Sequence, residues 1–435
     1  MKLLLKNVKS FGHFINSEKE FEVFDVLIED SKVTKLAIDI KSHDAKVYDC
    51  KKHFLYSGLI DPQVHFREPG FEYKEDIESG SRAAVKGGFT SVISMPNTLP
   101  TADNYETVKY MWDKQLEVGI CRVFPTGAVT KSLRGEELTD FDDLKKAHAV
   151  ALTDDGKGIQ SDEIFYKAME NAAKVDLPLL DHSEDESLSK GGAIHLGAIS
   201  EKFKIKGIDS NSESVHVKRG CEASLKTGAH FHVLHVSTKS SIDFIKEAKK
   251  KNARVTVEVS PHHLLLCDED IPLKGDKELD ANFKMNPPLR SKEDRQACVE
   301  GLLDGTIDAI ATDHAPHSPQ EKAQSIDKAP FGIIGLETAF PLIYTEFVRT
   351  NKMSLQNLFN LMSDSPRKIF KLESGHLQEG ELADLVLFDL DEEFSVDHDF
   401  FASKSKNSPF INRSLFGATK LTITNGKIVY NSLDV

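Results

Sequence analysis

Two hydrophobic periods divide this chain. Near its start, Phe21 to Glu29 and Lys32 to Ile38 run apolar or alternate every second residue, with Asp30-Ser31 between them, and Leu3-Leu4-Leu5 within Met1 to Ser10 reads as a first strand. The other end behaves alike. Ala383 to Phe388 predicts a strand, and Leu421 to Thr424 and Lys427 to Tyr430 flank Asn425-Gly426. Asn-Gly accepts the positive φ of a two-residue hairpin turn, so these two runs predict a hairpin. Strand-rich ends around a long middle predict one small β-sandwich-like domain made from residues 1–55 and 373–435.

Residues 56–372 follow a different rule. Short apolar runs, many of them β-branched, recur at Leu55–Phe66, Thr90–Asn97, Cys121–Val129, Ala149–Thr153, Leu177–His182, His230–Val236, Arg254–Ser260 and Asp308–Ala311. Between them lie segments of helical period such as Ser79–Lys86, Tyr105–Leu116, Ser161–Lys174, Ser212–Lys226, Lys239–Lys251 and Lys292–Leu303. A helix between consecutive buried strands returns the chain for parallel pairing. Eight such units predict an α/β fold, a (β/α)8 TIM barrel.

Polar chemistry collects where these runs end. The first closes on Gln63-Val64-His65-Phe66-Arg67, the fourth on Asp154-Asp155, the fifth on Asp181-His182, the sixth on His235 and the eighth on Thr312-Asp313-His314. In a parallel barrel the C-terminal strand ends share one mouth, so residues far apart in sequence converge there. One histidine at a strand end is ordinary packing; several in succession predict a site. His65, Asp155, His182, His235 and Asp313 are the metal-ligand candidates, although spacing alone allows Asp154 as readily as Asp155. Imidazole and carboxylate donors suit zinc. A water bound to zinc has its pKa lowered to about 7 and becomes a usable nucleophile, and Asp313 is placed to take its proton and deliver it to a leaving nitrogen. His262, His263 and His314 read as structural, and Asp61 as a group that orients a neighbour.

Composition narrows the partners. The formal net charge is −14, which argues against nucleic-acid and anionic-membrane binding, both of which need a basic footprint. An anionic substrate would then need its own local Arg or His. Five scattered cysteines without a CxxC pair fit buried thiols in a reducing cytoplasm. No apolar run approaches the ~20 residues of a membrane span.

The motifs carry a resemblance. Gly58-Leu-Ile-Asp-Pro-Gln-Val-His-Phe-Arg-Glu-Pro-Gly70 resembles the DxHxHxR opening signature of the amidohydrolase superfamily, and Ala311-Thr-Asp-His-Ala-Pro-His317 its closing signature. With Met95–Thr98, Ala151–Gly156, His235–Lys239, Lys284–Arg290 and Pro330–Gly332, the set resembles type I dihydroorotases over nearly the whole chain, most closely from Gly58 to Pro341. The resemblance implies that His65, Asp155, His182 and His235 hold metal and that Asp155, rather than Asp154, is the bridging carboxylate. It implies Asp313 as catalytic acid–base, Arg67, Asn97 and His317 as binders of a substrate carboxylate, and Asn286 as a further substrate contact. The implied reaction is zinc-dependent, reversible ring opening of dihydroorotate to carbamoyl aspartate in pyrimidine synthesis. A homodimer is the implied assembly.

Gln63 departs from the family pattern, which has histidine there. A neutral amide is a poor zinc ligand. One firm zinc on Asp155, His182 and His235 is therefore expected, with a second position weakened to His65, Asp155 and Asp313. Two other readings stay open: a sibling cyclic amidase (allantoinase or dihydropyrimidinase), and an inactive subunit supporting aspartate carbamoyltransferase. Arg67 with Asn97 favours a carboxylated substrate over the first; the persistence of His65, His182, His235 and Asp313 weighs against the second. The polar stretch His317 to Phe331 reads as a mobile lid.

Overall fold

The computed structural model describes residues 2–275 and 278–433, so Met1 of the expected first strand and the last two residues of the expected terminal domain lie outside the described residues. Eight short strands form the interior: β1 (Leu59–Val64), β2 (Phe89–Ser94), β3 (Arg122–Pro125), β4 (Leu152–Thr153), β5 (Leu179–Asp181), β6 (Phe231–Val233), β7 (Val255–Val259) and β8 (Ala309–Ile310). β1 to β3 pair in parallel as one sheet, and β4 to β8 as another. Parallel bridges join the two sheets at both seams, Gly127 to Leu152 and Val64 to His314. The strands thus succeed one another in chain order, with helices between them.

Those helices follow from local sequence. Asp162–Val175 starts at Ser161, whose hydroxyl accepts the Ile164 N–H, and buries Phe165, Ala168, Met169, Ala172 and Val175 on one stripe. Ile77–Lys86 starts at Asp76, which accepts the Ser79 N–H in a capping box. Lys292–Leu303 starts at Ser291, whose hydroxyl accepts from Asp294.

The two chain ends build one eight-stranded sheet. Lys2–Phe11 pairs with Phe21–Glu29, Lys46–Asp49 and Phe54–Ser57; Phe54–Ser57 then pairs antiparallel with Leu385–Ser395, which continues into Ser414–Thr424 and Lys427–Asn431. Its two faces separate by the period of the strand. Leu55, Leu385 and Leu387 join Leu3, Leu5, Val26 and Ile28 in one core. Phe54, Tyr56, Val386 and Phe388 face the other way and merge with the core around the parallel strands. There the Phe340 and Phe388 rings stack 3.8 Å apart. Arg122 in β3 adds a polar tie, its Nε donating to Asp384 Oδ2 at 3.0 Å.

One expected strand needs correction. Leu55–Phe66 is two elements, the terminal-sheet strand Phe54–Ser57 and β1. They part at Gly58, where a Cβ would lie 2.1 Å from the Thr90 hydroxyl oxygen. Both runs are apolar because each is buried, so hydropathy alone shows no seam.

Candidate active site

The strand ends deliver their side chains to one cavity of about 350 Å3, whose walls include His65, Arg67, Asp155, His182, His235 and Asp313. That volume suits a small molecule. Asn97 and Asn286 also reach it, as do Pro330, Phe331 and Gly332.

Asp155, His182 and His235 are the tightest cluster. They are buried, and one donor atom from each lies within 4.8 Å of the others; among the described residues no other such group of three occurs. His182 Nδ1 is 3.0 Å from His235 Nε2 and 3.5 Å from Asp155 Oδ1. His235 Nδ1 is buried without a partner. Opposite this triad, His65 Nε2 stands 3.1 Å from both Asp155 Oδ2 and Asp313 Oδ1. Asp155 therefore faces His65 with one oxygen and the His182–His235 pair with the other. Asp154 turns away, accepting the Thr130 N–H at 2.9 Å and the Thr130 hydroxyl, while Asp155 stays in the cluster.

The charge balance of this cluster favours a cation. Burial alone would lower the His65 and His182 pKa values. Hydrogen bonds to Asp155 and Asp313 nevertheless raise His65 to about 9, and those to Asp155 and Glu184 raise His182 to about 10. Burial acts on Asp155 as well, yet His182, His235 and His65 hold its carboxyl well below the usual range. Protons on imidazole here balance carboxylate charge, and a metal ion can take their place. Two imidazole nitrogens and a carboxylate oxygen, with no thiolate, form a donor set that fits a divalent metal such as zinc.

Gln63 occupies the wall of this cluster. Its Nε2 donates to Asp155 Oδ2 at 3.2 Å, so it meets the carboxylate as a hydrogen-bond donor. Asp61 fixes the surrounding backbone: Oδ1 accepts the N–H groups of Gln63 and Thr312, and Oδ2 accepts the Thr312 hydroxyl at 2.5 Å, tying β1 to the end of β8. Asp61 is thus an orienting group. His263 Nε2 donates to the Pro287 carbonyl at 3.0 Å, and His314 Nδ1 accepts the Gly335 N–H at 3.2 Å. Both hold loops.

Of the expected carboxylate binders, Arg67 and Asn97 line this cavity, whereas His317 is not among its wall residues. Arg67 is half-buried and donates from Nε to the Pro316 carbonyl at 3.3 Å. Burial lowers its pKa to about 10, which leaves it charged at neutral pH. His317 Nε2 donates to the Phe331 carbonyl at 2.7 Å, and its Nδ1 then accepts from Lys74 Nζ at 3.3 Å. Arg67 is the local positive charge that an acidic protein needs for an anion; His317 is neutral in this arrangement, and Lys74 is paired with Glu321 at 2.9 Å. Asn97 is arranged differently: its Oδ1 accepts from His65 Nδ1 at 3.0 Å, so it also fixes that ring. Asn286 Nδ2 donates to Glu184 Oε2 at 2.8 Å. Glu184 is a further member of this site that the pattern of strand-end residues does not single out. Its carboxylate is also 3.1 Å from His182 Nε2, and its position two residues beyond His182 was the available signal.

Comparison with known proteins agrees with this geometry. A family model described as dihydro-orotase-like matches residues 52–241. The chain is 49% identical to a dihydroorotase of Brevibacillus brevis over 425 residues, covering 97% of this chain and 98% of that one. It is 47% identical to a dihydroorotase of Listeria innocua over 428 residues, covering 98% of each. Among solved structures, an L-hydantoinase (dihydropyrimidinase) from Arthrobacter aurescens superposes with a TM-score of 0.82 at 24% identity, covering 99% of this chain and 96% of that one. A D-hydantoinase superposes at 0.84 with 20% identity, covering 99% and 95%. At those identities the superpositions speak for the fold alone.

Proposed function

We propose a reaction on the premise that this chain belongs to the dihydroorotase family: metal-dependent, reversible hydrolysis of the cyclic amide of dihydroorotate to carbamoyl aspartate. The observation that carries it is one cavity holding a buried Asp155–His182–His235 triad beside the Arg67 guanidinium. The family resemblance, the two strand-sheet seams and the hydantoinase superpositions support a closed (β/α)8 barrel over residues 56–372, with the terminal sheet from residues 1–55 and 373–435 as a second domain.

Asp155, His182 and His235 would hold one zinc ion firmly. His65 and Asp313, with Asp155, offer only a weakened second position, because Gln63 turns an amide N–H toward Asp155. When bound, zinc supplies Lewis acidity toward an amide carbonyl and lowers the pKa of water. The chain's own groups do the rest. Arg67 offers its guanidinium to the substrate carboxylate, with His317 beside it, and so orients the ring. Asn286 and Asn97 offer amide groups to its polar edge. Water oxygen joins the amide carbon, the ring C–N bond breaks, and Asp313 carries one water proton to the departing nitrogen. His65, 3.1 Å from Asp313 Oδ1, holds that carboxylate in place.

A sibling cyclic amidase would share this fold, which the hydantoinase superpositions show without bearing on the substrate. The charged Arg67 favours the carboxylated ring. Turnover of dihydroorotate and of hydantoin by the purified chain, before and after chelation and zinc return, tests both. Activity on hydantoin and none on dihydroorotate reverses the assignment.

A further inference from the structure

Next to the cavity lies a lysine that sequence reading left aside. Lys322 ends the short helix Pro319–Lys322, whose first turn is fixed by the Ser318–Glu321 capping box. Its side chain is buried, and Nζ donates to three carbonyl oxygens: Lys284 at 3.1 Å, Pro330 at 3.1 Å and Gly332 at 2.9 Å. An ammonium has three N–H donors, so all of them are used. Burial and the nearby Lys284 charge pull its pKa down to about 7, against the opposing pull of Asp280.

The acceptors have a pattern. Pro330, Phe331 and Gly332 are consecutive wall residues of the cavity. Lys322 takes the first and third carbonyls, and the Phe331 carbonyl between them accepts from His317 Nε2 at 2.7 Å. The lysine therefore grips the peptides on either side of the one that sets the His317 ring. The stretch from His317 to Phe331, expected as a free lid, is tied at its base. The tie also reaches Lys284, two residues before Asn286.

We propose that Lys322 is a positioning residue for substrate binding: its ammonium fastens the Pro330–Gly332 wall and, through the Phe331 carbonyl, the His317 ring beside Arg67. This rests on the reading of Arg67 and His317 as the substrate-carboxylate side. Lys322 touches no substrate itself, so its removal loosens the bound state more than it slows the bond-breaking step. The fold keeps other ties: Asn407 Nδ2 also donates to the Gly332 carbonyl at 3.1 Å, and the Gly332 N–H to the Lys284 carbonyl at 3.0 Å.

The test compares the zinc-loaded full chain with its Lys322→Met and Lys322→Arg variants and with Arg67→Met, on dihydroorotate. Lys322→Met is expected to raise KM about tenfold, the loss of a charged hydrogen-bond donor, with kcat held within about threefold. Lys322→Arg is expected to recover part of the KM. Amide hydrogen exchange in the peptide covering Phe331 to Ile334 is expected to quicken in Lys322→Met and partly to slow again in Lys322→Arg. Unchanged KM with unchanged exchange overturns the proposal, as does a loss of kcat that merely follows the folded fraction. If Arg67→Met raises KM and Lys322→Met does not, the positioning role fails alone. If Arg67→Met leaves KM unchanged, the carboxylate reading fails, and this proposal with it. Should Lys322→Met fold poorly, Lys322→Gln, which keeps two donors, is held to the same outcomes.

Discussion

Gln63 and Asp155 meet as donor and acceptor: the amide Nε2 points at Asp155 Oδ2 from 3.2 Å, while the amide oxygen is buried with no partner. In this arrangement its N–H stabilises the negative Asp155, and its oxygen is left with no donor.

The first prediction concerns metal content. The purified chain is expected to hold one tightly bound zinc, counted by elemental analysis after extensive dialysis. Gln63→His is expected to raise the count toward two, and His235→Ala to lower it toward zero with a parallel fall in melting temperature, because a metal bound only to the folded state stabilises it by mass action. Two tight zincs in the unaltered chain would contradict the role given to Gln63.

Arg67→Met removes the cation from the cavity wall while keeping much of its volume. Loss of a charge-assisted hydrogen-bond pair costs about 2–3 kcal/mol, so kcat/KM for dihydroorotate is expected to fall ~100-fold. Steady-state kinetics check this. Retention of full kcat/KM would move the carboxylate elsewhere.

Asp384 is expected to matter for stability rather than chemistry. Besides Arg122 it accepts the N–H groups of Gly375 and Asn425, each at 2.7 Å, and it is buried. Asp384→Ala strands a guanidinium and two N–H groups at once, for an expected loss of about 3 kcal/mol. Urea unfolding of the two proteins measures the difference; a change under 1 kcal/mol would show water replacing the carboxylate.

A buried carboxyl outside the cavity wall predicts a pH slope. Burial raises the Glu337 pKa to about 7, against the opposing pull of Lys86, although Glu337 also accepts the Ala402 N–H at 2.6 Å. Between the ordinary carboxyl pKa and that value, the folded chain keeps a proton that the unfolded chain has lost. Its contribution is therefore whole at low pH and fades as pH rises toward 7, by on the order of 2 kcal/mol. Glu337→Gln is expected to remove that slope. Melting curves at pH 5 and pH 8 for both proteins test it, and equal pH responses would contradict it.

Much of this was legible in the sequence because it rests on period and order. The Lys292–Leu303 and Phe21–Glu29 limits were readable from capping residues, turn residues and alternation. The site candidates were readable because His and Asp recur at strand ends, and His65, Asp155, His182, His235 and Asp313 do line one cavity. The seam at Gly58 was hidden because burial makes both adjoining strands apolar. Glu184 and Lys322 were hidden for another reason. An isolated carboxylate or ammonium in a loop looks solvated until the partners that bury it, His182 and three backbone carbonyls, are placed beside it.

The terminal sheet sets an order of events during synthesis. Phe54–Ser57 pairs with Leu385–Ser395, so the early strand keeps an unsatisfied edge while about 300 further residues leave the ribosome. Throughout that interval Phe54 and Tyr56 have no Phe388 side to rest on, and an open apolar edge invites pairing with other chains. That edge closes only when Leu385–Ser395 docks, and Ser414–Thr424 with Lys427–Asn431 then extends the sheet on its far side.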